Sequence, residues 1–179
     1  MPNWVSNSVT ITAKSEVIKE IRARLEKDLE QGFFWQIIAP TDLEAYNDVV
    51  GTNGKTMNDP SGWYGWNLNH WGCKWDASDL NVESSSDEDV LYTFNTPWSP
   101  PTVISALAEL YPSAGIVHEY LEEQGWGGVV TYKNGEVIEE EAWDIPETHA
   151  DSMKYLDYCY GCEDEEYRFD DCPKEEVSA

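Results

Sequence analysis

Basic side chains are scarce in this sequence. Only 11 Lys and Arg stand against 35 Asp and Glu in 179 residues, a formal net charge of -24. Gripping a nucleic acid backbone through a general basic face needs clustered Lys and Arg, so that class is excluded. An anionic membrane surface is disfavoured for the same reason. No apolar run approaches the ~18 residues that span a bilayer. Met1-Pro2-Asn3-Trp4 has neither the basic nor the apolar region that opens a secretory signal, so the expected setting is a reducing cytoplasm. The four cysteines, Cys73, Cys159, Cys162 and Cys172, then read as thiols or metal ligands rather than a disulfide framework. Enzyme signatures are missing too: there is no Walker loop, GxSxG, HExxH or Rossmann fingerprint. His70 and His118 stand alone, and carboxylate pairs are too common to single one out. The expectation is a protein that is not an enzyme and that no motif equips with a cofactor.

Aromatic residues, by contrast, are plentiful. Nine Trp and ten Tyr help to make the chain 13% aromatic and 41% hydrophobic. Disordered acidic chains are poor in aromatics, so most of this one folds. The charge is unevenly placed. Residues 1–75 hold 9 acids and 7 bases, residues 76–133 hold 10 and 1, and residues 134–179 hold 16 and 3. The excess is nearly absent at the start and dense at the end.

Alternation over Val5–Thr12 predicts a strand with one buried face. Val17, Ile18, Ile21, Leu25 and Leu29 predict a helix capped by Ser15 and closed before Gly32. A loop over 41–62, with a turn of helix around Asp42–Tyr46, leads into four tryptophans within 13 residues, Trp63 to Trp75. Leu80–Ser84 and Val90–Asn95 read as paired strands. Ser99, ahead of Pro100-Pro101, is the expected cap of a helix with the stripe Val103, Ile104, Leu107, Ala108 and Leu110. A strand within Gly115–Gln124 precedes a hairpin over Gly127–Trp143, turning at Lys133-Asn134-Gly135. The order fits a split β-α-β layout, an α+β domain with an antiparallel sheet and helices on one face. The expected boundaries are 1–143 for the domain and 144–179 for an acidic, Cys-containing extension with a helical turn near Asp151–Tyr158.

Several motifs occur in one order: Pro2-Asn3-Trp4 with Ser6-Asn7; Trp63-Tyr64-Gly65-Trp66; Trp71-Gly72-Cys73-Lys74-Trp75-Asp76; Phe94-Asn95-Thr96-Pro97-Trp98-Ser99-Pro100-Pro101; and Gly125-Trp126-Gly127-Gly128. Together, over roughly residues 1–143, they resemble the YubB-type ferredoxin-like domain of plasmids and bacteriophages. Val5 and Cys73 depart from its pattern, where Cys and Thr are frequent. The resemblance implies a ferredoxin-like fold and a mobile-element origin in a bacterial host, and it implies no reaction.

Three groups of residues then compete for a role. In the tryptophan-rich stretch, Trp66, Trp71 and Trp75 offer faces for a planar ligand or nucleotide, with Lys74 and Asp76 to orient it. The plainer account makes the same rings core filling. Cys159-x-x-Cys162 with Cys172 supplies three soft ligands of a zinc site, and His149, His118 or Cys73 is available as the fourth. The third group is the acids of the hairpin and tail: Glu136, Glu139, Glu140, Glu141, Asp144, Glu163, Asp164, Glu165, Glu166, Asp170 and Asp171. Duplex DNA carries one charge per ~1.7 Å, so 24 charges equal about 40 Å of duplex. That is roughly the diameter of a compact chain of this length. The functional expectation is acidic DNA mimicry. The chain would bind a host defence complex of CRISPR or restriction type in its basic groove, with neither nucleic acid nor membrane as a direct partner.

Overall fold

The computed structural model describes residues 3–47, 60, 62–159, 162 and 169–173. Along β1 (Trp4–Thr12), Val5, Asn7, Val9 and Ile11 are buried while Ser6, Ser8, Thr10 and Thr12 face the other way, the period of two that an extended backbone imposes. The helical period follows in α1 (Ser15–Leu25), which buries Ile18, Ile21 and Leu25. Then come a 3-10 turn (Phe34–Gln36), α2 (Leu43–Asn47), α3 (Trp63–His70), β2 (Ser78–Glu83), β3 (Asp89–Pro97), α4 (Val103–Leu110), β4 (Gly115–Glu122), β5 (Gly127–Lys133), β6 (Glu136–Trp143) and α5 (His149–Leu156).

All strand pairs are antiparallel, in the order β2-β3-β1-β4-β5-β6. β3 lies between β2 and β1, and β1 lies between β3 and β4, so the first four strands with α1 and α4 form the ferredoxin-like split β-α-β arrangement. The β5–β6 hairpin extends the sheet beyond β4. Its turn is the expected one: Asn134 at φ 55° and Gly135 at φ 80° take the left-handed conformations that a tight hairpin turn requires.

Two expected helix ends move. α1 stops at Leu25, since the backbone leaves the helical conformation at Glu26 (φ -96°, ψ 7°). The Glu26 carboxylate accepts from the Arg22 guanidinium at 2.8 Å and from the Tyr92 hydroxyl on β3 at 3.1 Å, and Leu29 lies outside the helix and 46% exposed. Ser15 is the first helical residue and Lys14 holds the cap position, with no side-chain cap bond. Ser99 does not cap α4 either. Its Oγ donates to the Gly72 carbonyl at 2.8 Å, and Thr102 precedes the helix. Leu110 lies outside the buried stripe.

The core fills the helix-covered face of the sheet. Phe33, Phe34, Tyr92 and Phe94 pack with ring centroids 5.0 to 5.9 Å apart, beneath Trp71. A polar thread crosses the same layer. His118 Nε2 donates to Asn7 Oδ1 at 3.0 Å, Asn7 Nδ2 donates to Thr96 Oγ1 at 2.9 Å, and Thr96 Oγ1 donates to the Ser99 carbonyl at 2.8 Å. Buried polar groups are tolerated when partnered in this way.

Burial pulls the His118 pKa down to about 4, below its ordinary value of 6.5. The unfolded chain therefore takes up this proton first as the pH falls, and the stability contributed by the neutral ring is full above 6.5 and lost toward pH 4. Compared with His118→Gln, the wild type should lose about 3 kcal/mol more between pH 7 and pH 4. Urea unfolding of both proteins across that range measures the difference, and the many carboxylates, common to both, cancel.

Candidate functional site

The strand register sets out the uncovered face of the sheet as transverse rows. One row runs Glu139, Thr131, Val117, Thr10, Leu91, Glu83. The next runs Glu141, Val129, Glu119, Ser8, Thr93, Asn81, and the third Trp143, Gly127, Leu121, Ser6, Asn95, Ser78. The middle of the face is small and polar, and its charged positions are acidic. Five of the eight described bases (Lys14, Lys19, Arg22, Arg24 and Lys27) lie in or beside α1, on the opposite, helix-covered side.

A trough of about 480 Å³ lies on this face. Ser6, Ser8, Thr93, Asn95, Glu119 and Leu121 are in its floor, and Trp143 and Tyr155 form a wall. Those two rings stack 4.8 Å apart at 7°, joining β6 to α5. Trp143 Nε1 donates to the Gly125 carbonyl at 3.0 Å. Gly127 is Trp143's register partner, and a Cβ there would come 2.7 Å from the indole. A glycine at that position lets the ring lie against the sheet. Sequence reasoning missed this wall, although Gly127 opposite Trp143 in the predicted hairpin was its signal.

The expected partner-binding acids separate into three groups. Glu136, Glu139, Glu140 and Glu141 are all exposed on β6, an outer edge of the sheet, with Asp144 just beyond. Among the described residues their one ion pair is Glu141 with Lys154 at 3.6 Å, between exposed side chains. Asp170 is exposed near the end of the described chain. Asp171 is already engaged. Its carboxylate accepts from the backbone N–H of His149 at 2.8 Å and of Ala150 at 3.3 Å, at the start of α5, and these bonds hold its pKa below the usual range. Glu163, Asp164, Glu165 and Glu166 lie outside the described residues.

The tryptophan-rich stretch is largely structural. Trp71 is 2% exposed, and its Nε1 donates to the Ile38 carbonyl at 3.0 Å. Trp66 packs edge-on against Trp71 and stacks on His70. Asp76 Oδ1 accepts from the N–H of Phe34 at 2.8 Å and of Ala77 at 2.7 Å, and Oδ2 accepts from Trp35 N at 3.1 Å. Those bonds leave the carboxylate committed to the backbone rather than to a ligand. Burial pushes the Asp76 pKa up, and the same N–H bonds oppose the rise. Lys74 lies 4.4 Å from the Trp75 ring and 5.3 Å from the Trp98 ring, both well exposed. The sheet-face trough is lined by none of Trp66, Trp71, Lys74, Trp75 and Asp76.

The four thiols divide as well. Cys73 is fully buried in the core, its pKa pushed up to about 12 by burial and by Asp76, and His118 is held in the polar thread, so neither reaches the tail cysteines. His149 does. His149, Cys159, Cys162 and Cys172 bring their ligand atoms within 4.8 Å of one another. Burial raises the Cys159 pKa, but hydrogen bonds from Cys162, His149 and Cys172 outweigh it and bring the thiol down to about 7. Its hydrogen bonds to Cys159 and Cys172 push Cys162 up to about 12.

Residues 70–167 match the family model described as the ferredoxin-like domain in Api92-like protein, and the chain belongs to that family. The match crosses residue 143 into the extension. Among solved structures, the crystal structure of a protein api92 from Yersinia pseudotuberculosis is similar at a TM-score of 0.53 and 12% identity, covering 82% of this chain and 99% of that one. That likeness shows the fold. No curated protein matches.

Replacing Asp76 tests the structural account of the tryptophan stretch. Asp76→Asn sets an amide donor against N–H donors and should lower the unfolding free energy by about 1–3 kcal/mol. Chemical denaturation measures the loss. An unchanged midpoint would return Asp76 to the list of ligand contacts.

Proposed function

We propose that this Api92-like chain is a binding protein of a phage or plasmid that acts in the bacterial cytoplasm. It blocks a host nucleic-acid-binding defence complex, of CRISPR or restriction type, by offering carboxylates where that complex holds phosphates. The observation that carries this reading is the run Glu139-Glu140-Glu141 on the outer strand, exposed and with one exposed counter-ion among the described residues. Strand residues advance about 3.4 Å each, so three consecutive acids present one charge per ~3.4 Å along the edge. One strand of DNA carries its phosphates at the same ~3.4 Å rise. The side chains alternate between the two faces, but a groove that closes over a sheet edge meets both. Glu119, Glu83 and Asp79 continue the negative field across the uncovered face, away from the bases of α1. Such a field speeds encounter with a basic groove and weakens with salt.

A second reading rests on the trough. Its size and its stacked Trp143–Tyr155 wall suit a small planar ligand or nucleotide, held by the Ser, Thr and Asn side chains of the floor. This ligand reading moves from the tryptophan-rich stretch to the sheet face.

Cleavage assays with purified CRISPR effectors and restriction endonucleases separate the two. Under DNA mimicry the chain inhibits at least one of them, and added salt relieves the inhibition. Charge reversal of Glu136, Glu139, Glu140 and Glu141 to Lys should weaken it by at least about a hundredfold, since like-charge contacts cost several kcal/mol. Undiminished inhibition by a folded reversal variant would discard mimicry. A thermal shift with nucleotides that Tyr155→Ala removes would favour the trough.

A further inference from the structure

We infer that His149, Cys159, Cys162 and Cys172 bind one zinc ion that fastens the C-terminal extension to the sheet. Three sulfurs and one imidazole nitrogen from four positions of the chain converge within 4.8 Å. Two of their spacings are close to the edges of a coordination tetrahedron. Bond lengths of ~2.3 Å to sulfur and ~2.0–2.1 Å to nitrogen give edges of about 3.8 Å between sulfurs and about 3.6 Å between sulfur and nitrogen. Cys159 Sγ lies 3.6 Å from Cys172 Sγ, and Cys162 Sγ lies 3.3 Å from His149 Nδ1. Cys162 Sγ and Cys172 Sγ stand closer, at 2.6 Å. That is longer than a disulfide of ~2.05 Å, and binding a metal requires the two sulfurs to part by about 1.2 Å to the tetrahedral edge.

The surroundings suit a structural ion. Cys159 and Cys172 are 8% and 7% exposed, so the site is shielded. Four protein donors fill a tetrahedral ion and leave no position for water, the structural rather than the catalytic pattern. On binding, each thiol gives its proton to solvent and coordinates as thiolate, while the neutral imidazole donates its Nδ1 lone pair. The chain's net charge of -24 favours a divalent cation.

The site also has a mechanical place. His149 opens α5, and Asp171, beside Cys172, caps the same helix end. Tyr155 of that helix stacks on Trp143 of β6. A metal here would hold the late segment to α5, and α5 to the wall of the trough. The inference is independent of what the acidic edge binds.

The test uses the full chain, expressed and purified without chelator under reducing conditions. Metal analysis should find one zinc per chain, and Co²⁺ replacing it should give the visible absorption of a tetrahedral thiolate site. His149→Ala and Cys162→Ser should lose the stoichiometric zinc, while Cys73→Ser, the core thiol, keeps it. Chelation should speed amide exchange over residues 143–157 and leave β1 to β4 unchanged. Protein that carries no zinc and takes up neither Zn²⁺ nor Co²⁺, or that isolates with Cys162 and Cys172 joined and blocked to alkylation, overturns the inference. The wild-type metal measurements decide the matter even if a variant fails to fold.

Discussion

The covered face of this protein hangs on the carboxylate of Asp76. One side chain accepts hydrogen bonds from Phe34, Trp35 and Ala77, and so joins the turn after α1 to the segment that leads from the tryptophan-rich helix into β2. Gly32 makes the approach close enough, since a Cβ there would meet Asp76 Oδ2. With that turn fixed, Phe33 and Phe34 enter the core against Tyr92 and Phe94, and Trp71 closes over them. Arg24 reinforces the arrangement from α1 by donating to the carbonyls of Gln36 and Ile37 at 2.8 and 3.2 Å. The described start and end of the connection between α1 and β2 are thereby packed against the core.

Because Phe33, Phe34 and Trp71 of that connection go to one side, the other side of the sheet keeps its strand residues and the one wall that Tyr155 of α5 adds. This asymmetry decides where function has room. The helix-covered face carries the core and, through α1, most of the described bases. The bare face carries Ser, Thr and Asn with acids among them. A ligand that approaches this side meets a shallow floor, a stacked aromatic wall and negative charge. The polarity of the molecule is a consequence of the packing, since α1 must put its charged residues outward and β6 has no strand beyond it.

Much of this was legible in the sequence. Alternation marked β1 and its two faces, and Asn134-Gly135 marked the last turn. Element order and the quoted motifs pointed to a ferredoxin-like domain, and the match bears out that fold while placing the chain in the Api92-like rather than the YubB-type family; the origin in a plasmid or phage stays part of the proposal. What escaped was everything set by distant contacts. The Glu26 carboxylate is shared between Arg22 and the distant Tyr92, and Leu29 stays exposed beyond the end of α1, which no local pattern around Leu29 reveals. Ser99 has the form of a cap, yet it bonds Gly72 across the core. Asp171 belonged to an acidic run by composition and proves to hold a helix end from 22 residues away. Of three candidate partners for the tail cysteines, only the fold could choose His149, because all three are zinc ligands by chemistry and it is burial in the core that removes Cys73 and His118.

The acids of β6 bear on two demands, the protection of a sheet edge and the proposed recognition of a positive surface, so their presence alone says little and their setting says more. An outer strand exposes unpaired backbone groups and invites pairing with another chain, a hazard that charged side chains suppress. Val137 and Ile138, half or more exposed on the same strand, make the hazard real. A few scattered charges would be enough for that protection. Consecutive Glu139, Glu140 and Glu141 go further, because adjacent carboxylates repel and each one added costs the folded state. The strand tolerates them at a sheet edge, where water screens both faces. Its far end is fixed independently by Trp143, which bonds Gly125 and stacks on Tyr155. A repelling charge row on an anchored edge fits recognition of a positive surface better than self-protection alone.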